Sequence, residues 1–86
     1  MSHRDILLRM RQWIEAEMEK AKQPGGEPFI YTSLAYCANK AEAGAAQQEI
    51  LATLRKVVEA NPPGMQFDAM RPHRAIFVID TAIAAA

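Results

Sequence analysis

The sequence predicts an α+β fold in one domain over residues 1–86: three helices followed by a C-terminal β-hairpin. Three observations predict it. Two segments carry apolar residues at helical spacing. The spacing changes from helical to alternating after Pro62-Pro63. A polar stretch containing proline, Arg71-Pro72-His73-Arg74, then separates two β-prone runs, as a hairpin loop does.

In the first helix, Ile6, Leu7, Met10, Trp13, Ile14, Met18 and Ala21 recur at three- and four-residue steps, giving one apolar face that runs to about Lys22. Ser2 with Asp5 three residues on resembles a capping box. Arg11 and Glu15 form an i,i+4 pair, and Leu8 falls on the polar side of the wheel. Gln23-Pro24-Gly25-Gly26 ends the helix.

Pro28-Phe29-Ile30-Tyr31 is a short β-prone stretch. Thr32 or Ser33 then caps a second helix from Leu34 to about Asn39, where asparagine suits a left-handed closing residue. Lys40 to Ala46 reads as a turn with a helical start. The clearest element is the third helix, Gln47 to Ala60, with Ile50, Leu51, Leu54, Val57 and Val58 in one tight stripe. Asn61-Pro62-Pro63-Gly64 stops it, since proline cannot continue the hydrogen-bond ladder. Met65 to Met70 alternates weakly, and Ala75-Ile76-Phe77-Val78-Ile79 reads as a β-branched and aromatic strand. The tail from Thr81 to Ala86 is small and apolar.

Composition narrows the function classes. At this length roughly 60–65% of the unfolded surface is buried, which leaves little room for a deep catalytic cleft. Ten basic and ten acidic side chains give zero formal net charge, so the basic excess of most nucleic-acid-binding domains is missing. Neutrality also favours self-association near neutral pH. With one cysteine, Cys37, no intrachain disulfide can form, which fits a reducing cytoplasm. No apolar run is long enough for a signal peptide or a bilayer span.

Catalytic readings fail on the residues themselves. Cys37 sits on a helix expected to pack inward, far in sequence from His3 and His73, so neither a nucleophile–base pair nor metal-ligand spacing emerges. Gly25-Gly26 and Gly44 do not build a phosphate-cradling loop. The sequence therefore points away from an enzyme, and to no metal and no cofactor.

The element order, with Phe29-Ile30-Tyr31-Thr32-Ser33-Leu34-Ala35 leading into helix two, Gln47–Ala60 as helix three and Met65–Ile79 as a hairpin, resembles the winged helix-turn-helix superfamily. The resemblance is architectural and covers nearly the whole chain. It departs from the compact pattern between Asn39 and Ala46, where the turn is long and the glycine, Gly44, comes late. It implies a small regulator or accessory protein that binds double-stranded DNA as a homodimer, with helix three as the reading helix and the 71–74 loop as the wing. The residues placed at DNA on that reading are Gln47, Gln48, Arg55 and Lys56 on the helix, and Arg71, His73 and Arg74 on the wing. Glu49 and Glu59 share the helix face and would repel phosphate. The alternative is a protein-interaction module on the same scaffold: an adaptor, inhibitor or subunit, possible in a phage- or plasmid-encoded setting. Zero net charge, the acids of helix three, the methionines and the tail Ala82–Ala86 favour it.

Overall fold

The computed structural model describes residues 2–60 and 67–86. Four α-helices follow in order: α1 (His3–Lys22), α2 (Leu34–Lys40), α3 (Gln47–Glu59) and α4 (Pro72–Ala85), with a short 3-10 turn at Gly44–Ala46 ahead of α3. Among the described residues there is no strand, so the α+β expectation with a C-terminal hairpin is overturned, and with it the winged-helix reading. In place of a hairpin, an antiparallel bridge pairs Thr32 with Met70. Thr32 N–H donates to the Met70 carbonyl at 2.8 Å, and Met70 N–H donates back at 3.0 Å.

The segment read as wing loop and strand is α4. Arg71 is its N-cap, and Pro72 takes the first helical position, where a missing N–H costs nothing and the fixed φ suits the helix. Ala75, Val78, Ile79 and Ala82 are buried, a spacing of three, four and seven residues that belongs to a helix face. The alanine-rich tail extends this helix to Ala85, because alanine favours helix. Of the expected first strand, Met65 and Gln66 lie outside the described residues, as does the proline stop at 61–64. Phe67-Asp68 forms a turn and Met70 is buried at the bridge.

The other helices follow their sequence signals. The Ser2 side chain accepts from Asp5 N–H, and the Asp5 carboxylate accepts from Ser2 N–H at 3.4 Å, which completes the capping box of α1. Ile6, Leu7, Met10 and Ile14 form its buried stripe. Ser33, one of the two expected caps, accepts from Tyr36 N–H at the start of α2. Asn39 stays within α2, and the left-handed residues of the turn are Glu42 (φ 59) and Gly44 (φ 58). Ile50, Leu51 and Leu54 bury the α3 stripe.

The helices surround a common core in which Met10, Ile14, Leu34, Ile50, Leu54 and Ile79 are fully buried. Each such side chain contributes roughly 1.5–3 kcal/mol of transfer free energy. α1 and α4 run antiparallel: His3 and Leu7 lie with Ala82 and Ala85 at one end, Met18 and Lys22 with Arg71 and Pro72 at the other. Midway, the Arg11 guanidinium donates to Asp80 at 2.7 Å and also to Glu15. Asp80 holds the Arg11 pKa above its ordinary value through that hydrogen bond. α3 likewise packs on α4, and Ile50 and Thr53 line one cavity with Ala82 and Ala85.

Candidate protein-interaction surface

The residues expected at DNA do not form one face. Gln47 and Gln48 begin α3, at the end of the bundle beside the C-terminus of α4. Arg71, His73 and Arg74 begin α4 at the opposite end. A 13-residue helix separates the two ends by about 20 Å. Arg55 and Lys56 are exposed near the far end of α3, but the Arg55 guanidinium lies 4.0 Å from the centre of the Phe67 ring, stacked on its own chain. Glu49, in the first turn of α3, is engaged by His3 at 3.2 Å. Arg71 and His73 do come together, but on the rim of a groove and not at a hairpin tip.

That groove leads to a run of exposed large apolar side chains. Between α1 and α2 the chain carries Phe29, Ile30 and Tyr31, and α2 adds Tyr36. Ile30 is 50% exposed, Tyr31 63% and Tyr36 50%. The half-buried Trp13 organises the patch from beneath: its indole meets Phe29 edge-on at 6.0 Å and Tyr36 at 5.5 Å. The backbone between these aromatics is pinned by the Thr32–Met70 bridge, which ties the segment to the residue before Arg71. Both exposed tyrosines carry a cation on the ring. Arg71 lies 5.9 Å from the Tyr31 centroid and Lys40 5.3 Å from that of Tyr36.

Sequence reasoning placed Phe29-Ile30-Tyr31 as a β-prone lead-in and Tyr36 on an inward-packing helix, and so missed this patch. The legible signal was three large apolar residues in a row directly after a proline- and glycine-rich turn, with no helical or alternating pattern to bury them.

Beneath the patch, Cys37 is buried, and its Sγ lies 3.4 Å from Thr32 Oγ1. Burial pushes its thiol pKa up, and the Thr32 contact only partly offsets this, so the thiol is poorly placed as a nucleophile. Among the described residues no group of three or more His, Cys, Asp or Glu side chains is arranged to hold a metal ion. No helix among them is long and apolar enough to cross a membrane.

Comparison with known protein families, with curated proteins and with solved structures finds no match to this chain.

Proposed function

We propose that this protein is a protein-interaction module, an adaptor, inhibitor or subunit, that engages a protein partner through Ile30, Tyr31 and Tyr36. The observation that carries this reading is the exposure of Ile30, Tyr31 and Tyr36, each at least half open to solvent, with Trp13 packed on Tyr36 and on Phe29, the residue before Ile30. Tyrosine, tryptophan and arginine dominate the energetics of protein interfaces, and here Trp13 packs on Tyr36 and Arg71 lies over Tyr31. Tyr36, with few rotatable bonds and held edge-on by Trp13, loses little entropy on binding.

The double-stranded DNA reading depended on a wing. With α4 in its place, the basic side chains that remain are divided between α3 and α4, and Arg55 is already stacked on Phe67. Zero net charge adds nothing to phosphate affinity. A reducing, cytoplasmic setting agrees with the single buried Cys37.

Site-specific photocrosslinking in the source cells tests the proposal. A photoreactive amino acid at Tyr31 or Tyr36 should capture one defined protein, and the same residue at the exposed Ala52 of α3 should not. Equal capture from all three positions, or capture of DNA alone, would remove the basis for the proposal. Capture of a second copy of this chain would identify a homodimer as the functional unit.

A further inference from the structure

The groove beside the patch has a chemistry that specifies what enters it. Its apolar walls are Met18 and Ala21 from α1, Phe29 and Ile30 from the following segment, and Pro72 from α4. Its volume is about 210 Å³. A cavity of about 150 Å³ accommodates a benzene ring, whereas sites for cofactors and drug-sized ligands begin near 300 Å³. The groove therefore matches one large apolar side chain and is too small for a cofactor.

The permanent cations at the rim are Lys22 and Arg71. His73 lines the opening with them. Nearby acids offset this only in part: Glu19 meets Lys22 at 3.2 Å, and Glu27 is exposed on the chain leading to Phe29. α4 adds to the same sign, because its first turn holds no acidic side chain and its Arg71 cap makes no side-chain hydrogen bond.

We infer that the groove receives one bulky apolar side chain from an acidic segment of the partner, whose carboxylates meet Arg71, Lys22 and His73. This rests on the interaction reading above and names the partner's chemistry. Charge complementarity selects the acidic segment and the groove volume selects its anchor. Another cavity, between His3, Ile50 and Ala85, is of similar volume, but its histidine is already engaged by Glu49 and no Phe, Tyr or Trp lines it.

The test uses the full chain, isotopically labelled, and three synthetic peptides followed by amide NMR shifts: acetyl-Asp-Glu-Phe-Glu-Asp-amide, the same peptide with alanine for phenylalanine, and its lysine counterpart. The acidic phenylalanine peptide should shift Ile30, Arg71 and His73 at millimolar concentration, with affinity falling as salt rises. Arg71→Glu should weaken it roughly tenfold. That variant places an acid at a helix N-terminus, so loss of folding does not confound the result. Equal shifts from the lysine or alanine peptide, shifts mapping elsewhere, or none at millimolar peptide would overturn the inference. These outcomes are separable from the crosslinking result. A partner captured at Tyr31 through a basic segment keeps the interaction reading and overturns the acidic one.

Discussion

Replacing Ile79 and Phe77 separately distinguishes a helix from a strand over residues 75–79. In a strand, residues 77 and 79 share a face and suffer alike. In α4 they diverge: Ile79 is 0% exposed and Phe77 is 50% exposed. Ile79→Ala removes three buried carbons, each worth ~0.8 kcal/mol, and leaves a partly unfilled cavity, for a total of about 3–4 kcal/mol. Phe77→Ala loses only half a ring's burial and gains helix propensity, so its cost is about 1 kcal/mol or less. Urea unfolding followed by far-UV circular dichroism reads both. With a slope of about 1 kcal/mol per molar, the Ile79→Ala midpoint falls by about 3 M and that of Phe77→Ala by about 1 M or less. Because 3–4 kcal/mol is a large part of the stability of a chain this size, Ile79→Val, expected to cost about 1 kcal/mol, provides a milder step on the same scale. Phe77→Ala costing as much as Ile79→Ala would refute the helical assignment.

Three further outcomes are expected. Gly26→Ala should destabilise the chain by about 2 kcal/mol or more in the same unfolding assay, because a Cβ there would lie 2.3 Å from the Lys20 carbonyl oxygen and backbone must move. An unchanged midpoint would show that the turn after α1 yields easily. Arg71→Asp should stabilise α4 by about 1 kcal/mol, since aspartate caps the free N–H groups that Arg71 leaves open, and a loss of thermal stability would contradict the observed N-cap. Because burial raises the Cys37 pKa in the folded state, the unfolded chain loses its proton first as pH rises. Stability is then intact below the ordinary thiol pKa and falls above it, by at most about 1.4 kcal/mol per pH unit, until the folded thiol ionises. Cys37→Ala should abolish this alkaline slope, and an identical slope in the variant would assign it elsewhere.

The sequence made α1 and α3 legible because each carries a long amphipathic stripe, and α1 adds a capping box that the structure completes. α4 was misread for a physical reason. Ala75 to Ile79 is a short continuous apolar run, and periodicity alone cannot tell a buried strand from one buried turn of helix. Asp80 looked like the end of that run, yet it lies on the exposed side of a helix that continues, where Arg11 holds it. Pro72 looked like a loop residue and is instead a helix starter. Counting the alanine tail with the apolar run would have given a segment too long for an ordinary strand. The candidate site was legible only in its residue types. β-propensity marked Phe29, Ile30 and Tyr31 as strand-like, but it could not reveal that the described residues hold no strand to cover them, or that Trp13, sixteen positions away from Phe29 in the chain, packs edge-on against it.

The interaction surface is tested most directly by the affinity of the captured partner for an Ile30→Ser, Tyr31→Ala double variant, measured by isothermal titration calorimetry beside the unaltered chain. Both side chains are at least half exposed, so the variant should unfold at nearly the same urea concentration as the parent. If these residues anchor the partner, affinity should fall by about 30-fold or more, as loss of an interface hot spot does. Affinity within about twofold of the parent, with a large loss instead for Arg55→Ala, Lys56→Ala, would contradict the account and move the binding surface to α3.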